Sequence, residues 1–279
     1  MQQDSDVVRQ WGQSAPYWEK HRNTITRMFA PITEALIEEA QIASRHNVLD
    51  VATGPGEPAL SIAELVRPEG RVTGIDPVPE MVAAANRAAE RGGLKNAHFE
   101  VAFADRLPFP ADTFDAVVSR FGVMFFPSPV DALREMLRVL KPGRRVAAAV
   151  WHFADRNPFH YVLSRVVERF VDSPPLEPDA PDAFRFAPPG KLRDILAKAG
   201  ALTPSERLLK FRIEAMLSVD DFWTLRSEMS DKLRAKLAAL SNEQMAAVRK
   251  EVIEGLHAYS TDLGISFPAE VLIVSGTKQ

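Results

Sequence analysis

Two glycines and an acid carry the clearest chemistry in this chain. Gly54-Pro55-Gly56-Glu57-Pro58-Ala59 follows the apolar run Val48-Leu49-Asp50-Val51 and precedes a helical pattern over about 58–66. Asp76 ends the next apolar run, 71–76, twenty residues beyond Gly56. Glycines in a strand-to-helix turn let the backbone approach a ligand closely, and an acid ending the following strand accepts from ribose hydroxyls. The pattern predicts a nucleotide-binding βαβ unit. A tight turn that binds nothing accounts for the glycines but not for the acid.

Charge decides which nucleotide. A dinucleotide brings a pyrophosphate to the helix N-terminus, where backbone N–H groups and the helix dipole favour anions. Here Asp50 and Glu57 flank the turn, and Pro58 removes one donor. Two carboxylates repel a diphosphate but suit a ligand with cationic groups and no phosphate. S-adenosylmethionine, with its ammonium, sulfonium and ribose, is such a ligand, so the residues favour a methyl donor over NAD.

These residues need a scaffold, and the apolar patterning supplies one. Strands are expected at 48–51, 71–76, 98–103, 114–120, 145–150, 207–213 and 269–275. Helices are expected at 7–18, 25–40, about 58–66, 79–92, from Ser128 to Pro142-Gly143, near 158–171, at 192–199, and through most of 214–262. Ser128 reads as a capping-box start, as does Ser241 with Gln244 three places on. Alternating strands and helices imply right-handed crossovers and a largely parallel sheet. The expected fold class is thus α/β, a doubly wound, mostly parallel seven-stranded sheet with helical cap insertions. Residues 1–45 read as an N-terminal helical lid. Residues 46–279 read as one domain with insertions at about 151–187, including the proline-rich stretch 173–189, and 214–262.

Several ordered motifs resemble one family. Asp50-Val51-Ala52-Thr53-Gly54-Pro55-Gly56, Gly74-Ile75-Asp76, Leu107-Pro108-Phe109, Phe114-Asp115-Ala116-Val117 and Leu140-Lys141-Pro142-Gly143 are similar, in order and spacing, to class I S-adenosylmethionine-dependent methyltransferases. The methyltransferase type 11 group, with its ubiquinone/menaquinone-type enzymes, is the nearest likeness, over residues 30–150. The resemblance implies that Asp50, Ala52, Thr53 and Gly54 lie near the methionine moiety, with Gly56 lining the turn. It implies that Asp76 holds the ribose, with Pro77 and Met81 beside the adenosine. Ala104 and Asp105 would meet the adenine edge, and Ser119, Arg120 and Phe121 the amino-acid end. Ala52 stands where many members have glycine. Phe103 stands where many have an acid for the adenine amino group, which leaves Asp105 as the substitute, or as a solvated turn acid.

For the acceptor, His152, Tyr17 and His21 are the candidate bases, and His152 and Tyr17 are the expected catalytic pair. Phe125, Phe126, Trp151, Phe153, Phe159, Phe184, Phe186, Trp223 and Met229 fall in or beside the insertions, as core or as pocket wall. Arg120 either orients an anionic group or pairs with a surface acid. No histidine pair has metal-ligand spacing, so no metal is expected. Arg138, Lys141, Arg144 and Arg145 form the only basic knot, read as a solvated loop, and with a net charge of −3 no nucleic-acid partner is expected. The chain has 279 residues, 46% of them hydrophobic and no cysteine, which excludes disulfide frameworks and thiol chemistry. No secretory leader and no membrane span is read, so a cytoplasmic setting is expected. The expected activity is methyl transfer to a small, partly apolar acceptor. The alternatives are an NAD(P)-dependent oxidoreductase and a non-catalytic S-adenosylmethionine-binding protein.

Overall fold

A computed structural model describes residues 2–171, 177 and 179–279. Three helices come first, α1 (Gln2–Lys20), α2 (Arg22–Met28) and α3 (Ala30–Glu39). The single helix expected over 25–40 is therefore two, separated at Phe29 just before Pro31, a residue tolerated only in a first turn.

The alternating body follows: β1 (Asn47–Val51), α4 (Ala59–Val66), β2 (Arg71–Asp76), α5 (Pro79–Gly92), β3 (Ala97–Val101), β4 (Phe114–Arg120), α6 (Pro129–Val139) and β5 (Leu140–Trp151). After it come α7 (Pro158–Val167), α8 (Lys191–Lys198), β6 (Leu202–Ala215), α9 (Val219–Met229), α10 (Asp231–Ala238), α11 (Asn242–Leu256), β7 (Ser260–Thr261) and β8 (Gly264–Thr277).

The sheet runs β3-β2-β1-β4-β5-β8-β6, with the two-residue β7 added against β8. The first five strands pair in parallel; β8 lies antiparallel between β5 and β6. Seven strands were legible, and the eighth is too short to leave a pattern. Buried runs such as Val48–Val51 and Ala147–Val150 fit a parallel sheet covered on both faces. Gly93, in the left-handed region at φ 65°, ends α5 as its sequence predicts.

Two turn expectations fail for local reasons. The Ser128 side chain makes no capping hydrogen bond, whereas Ser241 and Gln244 form the full reciprocal box. Pro142-Gly143 does not end α6. The chain turns to strand already at Leu140, and Gly143, at φ 74°, sits in an irregular stretch of β5 where pairing jumps from Phe114↔Leu140 to Ala116↔Arg145.

Helix α7 follows β5, and α9–α11 fill the path from β6 to β8. Part of the proline-rich stretch, at 173–176 and Pro178, lies outside the described residues. Helix α11 packs on α7 and α9, and α1 packs on α5, α9 and α10. None of the described helices is long and apolar enough to cross a membrane.

Candidate functional site

Strands β1 and β4 are neighbours whose connections leave in opposite directions, one to β2 and the other to β5. Open α/β sheets bind ligands in the crevice at the carboxyl ends of such strands. Two non-glycine residues with positive φ stand at this point, Ala52 after β1 (φ 60°) and Phe121 after β4 (φ 63°). Backbone held this way costs on the order of 1–3 kcal/mol and collects at functional sites. Ala52 thus occupies a position whose backbone asks for glycine. A Cβ on Gly54 would meet nothing within 4 Å, so its backbone face is open, while one on Gly56 would lie 2.7 Å from Leu60, where helix α4 packs close.

The acids around this turn do two jobs. Asp76, 7% exposed, accepts from the N–H of Gly54 (2.9 Å) and of Val78 (3.0 Å). Burial pushes its carboxyl up to about 6, against those two hydrogen bonds. Asp50 is fully buried, and its Oδ2 accepts from Ala59 N–H at the start of α4 (3.2 Å). Burial pushes Asp50 up to about 7; the nearby Thr53 hydroxyl and the Arg120 charge offset this only in part. The Gly56 N–H is held by the Thr53 carbonyl. The donors that would cradle a pyrophosphate are therefore occupied by the protein itself, two of them by carboxylates.

A cavity of about 350 Å³ opens over the turn. One end is walled by Ala52, Thr53, Gly54, Glu57, Asp76, Pro77, Met81, Phe103, Ala104 and Asp105. The other is walled by Phe29, Arg120, Phe121, Trp151, Phe159, His160, Arg226 and Met229, with Phe125 and Phe126. Phe121 stacks on Trp151 with ring centres 4.3 Å apart. Trp11 and Trp18 of α1 close one side, packed against Ala15, Val78 and Met81. Among the described residues no group of three His, Asp or Glu side chains is placed to hold a metal ion.

Of the cofactor-binding residues expected from sequence, Ala52, Thr53, Gly54, Asp76, Pro77, Met81, Ala104, Asp105, Arg120 and Phe121 line this cavity. Asp50, Gly56 and Ser119 lie behind it. Arg120 donates to the Thr33 hydroxyl (2.8 Å), and burial lowers its pKa against the raising effect of Glu57 and Asp50. It is a cavity residue, not a partner of a surface acid.

The expected catalytic pair lies outside the cavity wall. His152 does follow β5, but β8 returns antiparallel beside it, and its Nδ1 pairs with Glu270 (2.9 Å) away from the cavity. Tyr17 sits under the Arg234 guanidinium, 4.8 Å away, and His21 is bound to Glu228 (2.6 Å); none of the three lines the cavity. Phe153, Phe184, Phe186 and Trp223 are not in its wall either. The basic knot is a set of ion pairs: Arg138 with Glu135, Lys141 and Arg144 with Asp115, and Arg145 with Glu39.

Sequence reasoning missed His160 and Arg226. His160 is the one polar ring in the apolar start of α7, and burial holds it well below the ordinary histidine range, hence neutral. Arg226 shares the face of α9 that carries Phe222, Leu225 and Met229, all buried. A charged residue inside an apolar helical face was the available signal.

Comparison with known proteins agrees with this geometry. Residues 48–143 match a family model described as a methyltransferase domain. The methyltransferase YcgJ of Bacillus subtilis is 35% identical over 137 residues, 49% of this chain and 50% of its own length. The ubiquinone/menaquinone biosynthesis C-methyltransferase UbiE of Pseudomonas fluorescens is 36% identical over 135 residues, 48% of this chain and 51% of its own. The chain spans about half the length of these curated relatives. The solved structure of Bacillus subtilis YcgJ shares the fold, with a TM-score of 0.58 at 20% identity over 90% of this chain and 99% of that one. Over residues 48–143 the chain is similar to the methyltransferase domain of class I S-adenosylmethionine-dependent enzymes, whose cofactor is S-adenosylmethionine. The residues present fit that group: the Gly54 backbone is open to the cavity, Asp76 has lone pairs left for hydroxyls, and Asp50 Oδ1, Thr53 Oγ1 and Ser119 Oγ are buried at the turn with no hydrogen-bond partner.

Proposed function

We propose that this chain transfers a methyl group from S-adenosylmethionine to a small, partly apolar acceptor held in the aromatic end of the cavity. One observation carries the reading: a single continuous, partly open cavity joins the glycine turn and Asp76 to residues of the inserted helices α7 and α9. The donor supplies an electrophilic methyl on a sulfonium. Attack by the acceptor would form the new bond to that methyl as the carbon–sulfur bond breaks, with the electron pair left on sulfur.

What the chain itself contributes is position and environment. Asp76 would hold the ribose hydroxyls, and Gly54 and Thr53 would face the methionine end, with Asp50 and Ser119 behind them. Met81, Pro77, Ala104 and Asp105 flank the adenine. Aligning the reacting atoms supplies much of the rate in such reactions, up to roughly 7–11 kcal/mol in favourable cases. No side chain is required as a base where the acceptor arrives deprotonated. Residues 1–45 act as a lid. Trp18 of α1 lines the cavity and donates from Nε1 to the Met229 carbonyl of α9 (3.2 Å), which ties the lid to the insertion. The name of the Pseudomonas relative, a quinone-biosynthesis C-methyltransferase, supports a ring-shaped acceptor; the match covers about half of each chain.

The test is calorimetric titration with S-adenosylmethionine, its demethylated product and NAD, followed by turnover on a panel of small phenols, quinols, amines and arylcarboxylates. Binding of the first two without NAD, together with methylated product, is expected. Tight NAD binding supports an oxidoreductase instead. Donor binding with no turnover on any acceptor supports a non-catalytic binder, and efficient methylation of tRNA or a folded protein overturns the small-acceptor reading.

A further inference from the structure

Arg226 is a buried cation without an anion among the described residues. It is 8% exposed, it lines the cavity, and its Nε has no hydrogen-bond partner. Its close companion is the face of Phe159, 4.2 Å from the guanidinium carbon. Burial alone shifts it, down to about 10, with no acid acting in the other direction. The other cavity cations are compensated. Arg120 and Arg22 feel Glu57, Arg120 feels Asp50 as well, and Lys232 pairs with Asp182 (3.4 Å). Beside Arg226 stands His160, neutral, with its Nε2 buried and unpartnered. A ring face restores only part of the hydration a guanidinium loses, and an uncompensated buried charge is among the costliest features a fold retains.

We infer that Arg226, with His160, binds a carboxylate on the acceptor, so that the substrate is a small aryl or aliphatic acid with an apolar body. This rests on the methyl-transfer reading and specifies its acceptor. Phe121, Trp151 and Phe159 hold the apolar body while the guanidinium, preorganised over Phe159, takes the carboxylate oxygens and His160 Nε2 adds one hydrogen bond. The anion is an anchor and not the attacking atom. Displacement on a sulfonium consumes the nucleophile's negative charge, so a cation fixed on that charge would stabilise the ground state over the transition state. The site therefore fits an acceptor whose carboxylate and methylated atom are different groups.

The experiment uses the full chain saturated with the demethylated donor product. Benzoate, phenylacetate and 3-phenylpropionate are each titrated against the corresponding amide. At least one acid is expected to bind about tenfold or more tightly than its amide, as a charge-assisted contact requires. Arg226→Met is expected to remove that difference and to leave the affinity for the donor product within about twofold. The same variant, without any ligand, is expected to melt at a higher temperature than the parent, because an unpaired buried charge has been replaced by apolar volume. Acids that bind no better than amides, or not at all, overturn the inference while leaving the donor assignment standing. So does a lower melting temperature for the variant, which would make Arg226 a structural group. Failure of the parent to bind the donor product overturns the methyl-transfer reading itself.

Discussion

Replacing Asp76 with asparagine perturbs the donor end at one point and lets stability and binding be read separately. Burial pushes the Asp76 carboxyl up to about 6 from its ordinary 3.8. Each pKa unit corresponds to about 1.4 kcal/mol, so ionising this group in the folded state costs about 3 kcal/mol at neutral pH. The folded protein keeps the proton to higher pH than the unfolded chain does. Stability therefore falls as pH rises from about 4 to about 6 and is level above that. An asparagine side chain cannot ionise, which removes the cost. It also turns one acceptor into an NH₂ donor against the N–H of Gly54 or Val78, which leaves a buried donor unsatisfied at about 1–3 kcal/mol. At pH 7 the two effects nearly cancel, so Asp76→Asn is expected to fold with little net change.

Donor affinity should not cancel. A carboxylate accepting from ribose hydroxyls contributes about 1.5–3 kcal/mol, so binding of the demethylated donor product should weaken by about 10- to 100-fold. Calorimetric titration and thermal unfolding at pH steps from 4 to 8, on both proteins, measure both quantities. Asp50, pushed to about 7, titrates in both and drops out of the difference. Product affinity within twofold of the parent would refute the ribose contact. A stability difference that does not change between pH 4 and 6 would refute the burial argument.

His152→Ala should leave kcat within about twofold and lower stability by about 1 kcal/mol through the lost Glu270 contact, measured by turnover and denaturant titration. A tenfold loss of kcat would return His152 to the chemistry. Phe126→Ala should change acceptor preference without moving donor affinity, while Trp223→Ala, outside the cavity wall, should change neither; equal effects in a substrate panel would contradict the cavity boundary. Trp18→Ala should speed donor-product release by about tenfold in stopped-flow displacement, since it removes both a cavity wall and the bond to Met229; an unchanged release rate would remove α1 from lid duty.

The sheet was legible because buried parallel strands and amphipathic helices leave strong, short-range patterns. Phe114–Arg120 and Arg71–Asp76 fall where the sequence places them, and the turn with Asp76 follows from the same local logic. What failed was any inference needing knowledge of what packs beside a residue. His152 stands at the carboxyl end of a strand, as a base should, but only the antiparallel return of β8 brings Glu270 to it. Asp50 was read as lying near the methionine moiety; that its Oδ2 accepts from the first N–H of α4 was not legible in the chain. Arg226 and His160 come from different insertions, α9 and α7, and no spacing in the chain announces that they meet. Their meeting is a tertiary fact.

The layout of charge explains why the two ends of the cavity need not be built by the same layer. The donor end is made of sheet-edge loops and is acidic, as a cationic ligand requires. The acceptor end is made of inserted helices, and the uncompensated charge it carries is positive. Between them runs α1, and its contacts reach both. Trp18 touches Met229, three residues beyond Arg226 on α9, and Lys20 and His21 both bind Glu228. Burial pushes the Glu228 carboxyl up, but those two hydrogen bonds outweigh it and hold it below its ordinary value. On the other flank Glu19 pairs with Arg87 on α5, whose Met81 lines the donor end. The proposed lid helix is thus attached, within one turn, to the helix that carries Arg226. If α1 opens as a lid, these contacts would have to give, and energetic coupling between two sites is reciprocal by necessity. Under the proposed lid, a donor that tightens α1 would tighten the α9 wall as well, and by the same linkage an acceptor would tighten the donor.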